Sequence, residues 1–92
     1  MTIAVEIFSA PGCTRCARAR GPLKTVVEAL GANRATWREV DVLAETDYAV
    51  ALGVVATPAI AIDGRLAFAA LPSPQRLRAE LVRRLARDSR GG

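Results

Sequence analysis

Two cysteines stand three residues apart in Cys13-Thr14-Arg15-Cys16, the only cysteines of a 92-residue chain without histidine. Thiols at that spacing can close a disulfide with each other, or supply half of a four-ligand metal site. In disulfide exchange the attacking species is the thiolate, and a free cysteine with a pKa near ~8.5 is mostly thiol at neutral pH. The motif therefore needs surroundings that favour the anion. Arg15 between the two cysteines is one candidate cation. The alternative for Arg15 is a helix-surface residue pointing to water, and exposed charges interact weakly. A zinc or copper site would use the same two sulfurs. With no histidine, no third cysteine and no second CxxC, it would have to borrow ligands from a partner or a second subunit.

The elements around the motif are legible from periodicity. Ile3, Val5 and Ile7 alternate with Ala4, Glu6 and Phe8, the pattern of a strand. Ser9-Ala10-Pro11-Gly12 is a turn. From Cys13 to Leu30 the apolar positions Cys16, Ala19, Leu23, Val26, Val27 and Leu30 recur at helical spacing, and Gly31 supplies the stop. Pro22 lies inside that helix and predicts a kink. Thr36 to Val42 is a second strand, and Leu43 to Leu52 a short helix closed by Gly53. Ala59 to Ile62, Asp63-Gly64 and Arg65 to Ala69 form a hairpin, since Asp-Gly suits a turn needing φ > 0 at both positions. Ser73 is an N-cap and Pro74 the first position of a last helix with its stripe at Leu77, Leu81, Val82 and Leu85. The order β-α-β-α-β-β-α predicts an α/β domain with a mixed four-stranded sheet and helices on both faces. Residues 1–90 form this one domain, and 91–92 a frayed tail.

In this order the cysteines fall where a strand ends and a helix begins. Unpaired backbone N–H groups and the helix dipole favour an anion there. Cys13, first in the helix, is the expected nucleophile. Cys16, one turn later on the apolar stripe, is the expected resolving thiol. Some forty residues on, Ala56-Thr57-Pro58 precedes the hairpin, where a proline costs the ladder no donor.

Composition narrows the alternatives. The net charge of +4 gathers in two basic stretches, Arg15 to Lys24 and Arg76 to Arg90, both on expected helices where long side chains cover surface and keep their charges wet. One Trp, one Tyr and two Phe are too few for a nucleic-acid stacking platform. Trp37, Phe68 and the Leu77/Leu81/Leu85 stripe are expected in the core. No apolar run approaches the ~20 residues that span a bilayer. Met1 to Glu6 lacks the basic region of an export signal. The expectation is a monomer of the cytoplasm that engages neither membrane nor nucleic acid. Its cysteines should then be chemically active rather than a structural bridge.

The chain resembles the thioredoxin superfamily, and within it the short glutaredoxin-like thioredoxins of archaea and some bacteria. The resemblance runs through Val5 to Cys16, through Arg38-Glu39-Val40-Asp41-Val42, through Gly53-Val54 and Thr57 to Gly64, and through Leu71-Pro72-Ser73. It implies the minimal thioredoxin fold and a thiol–disulfide oxidoreductase whose redox group is the Cys13–Cys16 pair, with no other cofactor. It implies a disulfide-bearing protein or small-thiol substrate, and a thioredoxin-reductase-type flavoenzyme or a low-molecular-weight thiol as electron donor. It further implies a cis Thr57–Pro58 bond facing the cysteines, with Thr57 and Pro58 contacting substrate. Three features depart from the family. Gly12 precedes Cys13 where thioredoxins have Trp. Ile7 stands where they bury an acid, and Glu6 alternates to the other face, so the acceptor of the Cys16 proton is unassigned. Ala69-Ala70-Leu71-Pro72 replaces the Gly-Gly-x-Asp by which glutaredoxins hold glutathione, which argues against that thiol.

Overall fold

The computed structural model describes residues 2–91, and the side chains of residues 2–87. The elements are β1 (Ile3–Ser9), α1 (Thr14–Ala29), β2 (Ala35–Asp41), α2 (Thr46–Leu52), β3 (Ala59–Ile62), β4 (Arg65–Phe68) and α3 (Pro74–Gly91). The strands form one sheet in the order β2-β1-β3-β4. β1 runs parallel to β2, with Ile7 opposite Glu39, and antiparallel to β3, with Phe8 opposite Ala59. This is the expected mixed four-stranded sheet with three helices.

Alternation along β1 divides the core in two. Ile3, Val5 and Ile7 pack with Ile60 and Ile62 against α1 and α3, through Ala19, Leu23, Val27, Leu77 and Leu81. Phe8, Val40, Ala59 and Ala61 pack on the opposite face with Ala49 and Tyr48 of α2. Fully burying a Val, Leu, Ile or Phe side chain contributes about 1.5–3 kcal/mol, so both faces hold β1 in register.

Local chemistry sets the ends. Asp63 and Gly64 both have positive φ, 52° and 78°, as a tight hairpin turn requires. The Asp63 carboxylate also accepts the Ala4 N–H at 2.8 Å, tying the turn to β1. The Ser73 hydroxyl accepts the Arg76 N–H at 3.2 Å and caps α3. α3 runs through Gly91, where a frayed tail was expected to begin; Gly92 lies outside the described residues. α1 continues unbroken through Gly21-Pro22.

α2 begins three residues later than the apolar spacing suggests. The Asp41 carboxylate accepts the Leu43 N–H at 2.8 Å, and the Asp41 carbonyl accepts from Ala44 and Glu45. That side-chain turn competes with helix and leaves Leu43 exposed. β2 is shifted by one residue and β4 ends at Phe68, ordinary end variation. Trp37 and Phe68 are only half-buried at the edge of the core, and the Arg76 guanidinium lies over the Phe68 ring at 5.7 Å. No helix among the described residues is long and apolar enough to cross a membrane.

Glu6 is buried to 7% exposure on the α2 face. Arg38 Nε donates to its Oε2 at 2.8 Å, Arg38 Nη2 forms an ion pair with the same oxygen at 2.6 Å, and the Tyr48 hydroxyl donates to Oε1. The hydrogen bond to Glu6, aided by burial, holds the Tyr48 phenol above its ordinary pKa. Removing one partner of a buried charged group leaves that charge unsatisfied. Arg38→Met should therefore cost about 1–2 kcal/mol, discounted because Arg38 is half-exposed. Arg38→Met/Glu6→Gln should cost less than the two single changes summed, as measured by urea unfolding in a double-mutant cycle.

Candidate redox site

The site forms at the C-terminal end of β1. After Ser9 the chain turns, and the Cys13 N–H donates to the Ala10 carbonyl at 3.1 Å. Gly12 makes this turn at φ +77°, a conformation costing other L-residues about 1–2 kcal/mol. Cys13 then sits as the N-cap of α1 rather than within it, with extended backbone, and its Sγ accepts the Cys16 N–H at 3.2 Å. The sulfur occupies the place of a capping oxygen, where the first N–H groups of a helix lack intrahelical partners.

Cys13 and Cys16 are joined as a disulfide with Cα atoms 5.3 Å apart. Cys13 is half-buried, whereas Cys16 is buried at 5% exposure against the core. The register that pairs Phe8 with Ala59 brings the preceding Thr57–Pro58 to the end of β1. The Thr57–Pro58 bond is cis, Pro58 is buried, and the Thr57 hydroxyl lies 3.8 Å from Cys13 Sγ. Four of the five residues singled out from sequence, Cys13, Cys16, Thr57 and Pro58, thus meet at one point. Arg15 is exposed on α1 and is not among the residues lining the cavity beside the disulfide.

That cavity, about 400 Å³, is lined by Ile7, Ser9, Gly12, both cysteines, Arg20 and Glu39, among others. Arg20 lies one helical turn beyond Cys16. Its Nη1 donates to Glu39 Oε1 at 3.0 Å, and Trp37 Nε1 donates to Glu39 Oε2 at 3.3 Å. Burial pushes the Glu39 carboxyl up, but the bonds from Arg20 and Trp37, with the nearby Lys24 charge, outweigh it and leave the group below its usual range. Sequence reasoning passed over both residues, treating Arg20 as part of a solvated basic face. The signal was present: Arg20 is Cys16+4, and a parallel register places Glu39 across from Ile7. Among the described residues no group of three or more His, Cys, Asp and Glu converges to hold a metal ion.

Comparison with known proteins agrees with this geometry. Residues 1–81 match the family model described as a thioredoxin domain. The chain belongs to the thioredoxin family. It is 29% identical over 77 residues to a probable thioredoxin of Methanothermobacter thermautotrophicus, covering 84% of this chain and 89% of that one. To the probable thioredoxin of Methanothermobacter marburgensis it is 27% identical over 77 residues, again covering 84% of this chain and 89% of that one. Among solved structures, thioredoxin of Malassezia sympodialis superposes with a TM-score of 0.72 at 19% identity, covering 90% of this chain and 75% of that one. The first thioredoxin domain of mouse protein disulfide-isomerase A4 gives 0.74 at 16% identity, covering 90% and 63%. Those two likenesses establish the thioredoxin fold. Membership of the family and the Cys13–Cys16 pair make the chain a thiol–disulfide oxidoreductase in general terms.

Two measurements check this local chemistry. Gly12→Ala meets no atom within 4 Å, so its cost should be conformational alone, about 1 kcal/mol by urea unfolding. Glu39, its folded pKa depressed, adds stability that is present above its unfolded value of about 4.3 and lost as pH falls through the lower folded value. Unfolding midpoints between neutral and strongly acid pH should show this loss, and Arg20→Met should flatten it.

Proposed function

We propose that this thioredoxin-family chain reduces protein or small-molecule disulfides, with Cys13 as the nucleophile and Cys16 as the resolving thiol. The observation that carries the assignment is the unequal setting of the two sulfurs. Cys13 is half-buried and its Sγ accepts a backbone N–H at the start of α1, whereas Cys16 is enclosed by the core. A thiolate at Cys13 gains from that N–H and from the helix dipole, and an incoming disulfide can reach it.

The reaction then has two exchanges. The Cys13 thiolate attacks one substrate sulfur, the substrate S–S bond breaks, and the first half leaves as a thiolate that takes a proton. Cys16 loses its proton and attacks Cys13 Sγ, closing the intramolecular disulfide and releasing the second half. The two electrons pass from the protein dithiol to the substrate. Thr57, with its hydroxyl 3.8 Å from Cys13 Sγ, and Pro58 border the point of attack and are the proposed contacts for substrate beside the scissile bond. Arg15, exposed two residues beyond Cys13 in the first turn of α1, is proposed to contact the substrate at the rim.

The dithiol is regenerated by a thioredoxin-reductase-type flavoenzyme or by a low-molecular-weight thiol, in the reducing setting of the cytoplasm where a lone cysteine pair stays free for redox work. The proposed working unit is a monomer, with no cofactor beyond the disulfide.

Monothiol variants test the assignment of roles. Cys13→Ser should reduce disulfide reductase activity to background. Cys16→Ser should accumulate a mixed disulfide at Cys13, detected by intact mass after acid quench. Full activity in Cys13→Ser would remove this reading.

A further inference from the structure

The cavity beside the disulfide carries more chemistry than disulfide exchange requires. It opens where the small residues Ser9, Ala10 and Gly12 leave space next to Cys13, and Arg20 and Glu39 stand on its wall. The volume of about 400 Å³ is at the small end of ligand clefts, which run from about 300 to 1,000 Å³. Neither charged group is sealed off, at 51% exposure for Arg20 and 37% for Glu39. Arg20 Nη1 is engaged by Glu39, and a guanidinium has five N–H donors in all. Each Glu39 oxygen accepts one bond, from Arg20 or Trp37, and a carboxylate oxygen can accept more. The wall therefore offers a donor fork beside an anionic acceptor. Arg20 stands one helical turn, roughly 6 Å along the axis, beyond Cys16, and holds Glu39 of β2 beside it.

From this geometry we propose that the cavity binds the amino-acid head group of a small free disulfide of the cystine type. The α-carboxylate bonds Arg20 and the α-ammonium bonds Glu39, placing the neighbouring sulfur at Cys13. The inference rests on the oxidoreductase reading and adds a substrate class to it. A half-cystine carries its ammonium nitrogen three bonds, and its carboxylate oxygens four bonds, from its sulfur. A cysteine inside a polypeptide carries neither, because both groups are amides. Cys13 attacks one sulfur of cystine, and the first cysteine leaves with a proton. Cys16 then displaces the second cysteine from Cys13. One cystine and one protein dithiol thus give two cysteines and one protein disulfide.

The test mixes the fully reduced protein, without any other reductant, with L-cystine, N,N′-diacetyl-L-cystine or bis(2-hydroxyethyl) disulfide. Loss of protein thiols is followed by alkylation and mass. Each rate constant is divided by that of dithiothreitol with the same disulfide, which removes intrinsic reactivity. The wild type should prefer L-cystine over both other disulfides. Removing one partly exposed charge contact, as in Arg20→Met or Glu39→Gln, should lower that preference by up to about fivefold. Glu39→Gln keeps the shape of the wall, so it answers the question even if Arg20→Met folds poorly. Equal normalised rates for all three disulfides in the wild type, or a preference unchanged in Glu39→Gln, would overturn the proposal. Reaction with bis(2-hydroxyethyl) disulfide but no cystine preference removes this inference alone, whereas reaction with none of the three removes the reductase reading as well.

Discussion

The molecule depends on one constraint, the pairing of β1 on both of its edges. β2 holds it in parallel from Ile3 to Ser9, and β3 holds it antiparallel from Val5 to Phe8. A strand hydrogen-bonded on both sides and apolar on both faces cannot shift by one residue without moving every side chain to the wrong face. The end of β1 is thereby fixed against the beginning of β3 and the end of β2. The turn after Ser9 delivers Cys13, the segment before Ala59 delivers Thr57 and Pro58, and β2 delivers Glu39. These residues lie far apart in sequence, and the two registers are what bring them together.

The alternation of β1 also keeps two kinds of electrostatics apart. Glu6 points into the α2 face, where Arg38 and Tyr48 occupy its carboxylate. Ile7, the next residue, points to the α1 face and lines the redox cavity. The buried acid of β1 is thus shielded from the cysteines by the sheet itself, and its partners satisfy it as a structural element. The carboxylate that does share a cavity with Cys16 comes from the neighbouring strand, directly across from Ile7. It is held ionised by Arg20 and Trp37 rather than enclosed alone, so burial does not succeed in driving it neutral.

Much of this was legible in the sequence, for identifiable reasons. The period-2 pattern of Ile3 to Phe8, the Asp63-Gly64 turn and the Ser73-Pro74 cap are local signals, and each appears with its expected geometry. The placement of Cys13 at a strand-to-helix junction is local too. What escaped was set by competition or by distance. The start of α2 was displaced because a single Asp41 side chain offered the backbone of residues 43–45 an alternative to helix. The Arg20–Glu39 pair was missed because neither residue is unusual alone. An arginine on a helix and a glutamate on an edge strand are ordinary surface residues, and only the β1–β2 register, joined to the i, i+4 relation with Cys16, makes them neighbours of the disulfide.

The same register explains how a small fold can hold an asymmetric pair of sulfurs only three residues apart. An N-cap residue stands outside the helix with extended backbone, whereas a residue one turn later has its direction fixed by the helical path. Because α1 lays its Cys16, Ala19, Leu23 and Val27 stripe on the sheet, the later cysteine must face inward. The earlier one, not yet bound to the helical path, can remain at the surface beside unpaired N–H groups. Moving the pair one residue along α1 would rotate the second sulfur by about 100° and take it off the stripe, and it would place the first inside the helix, away from the capping position. Position relative to the end of β1, more than the identity of Thr14 and Arg15 between them, therefore differentiates the two thiols.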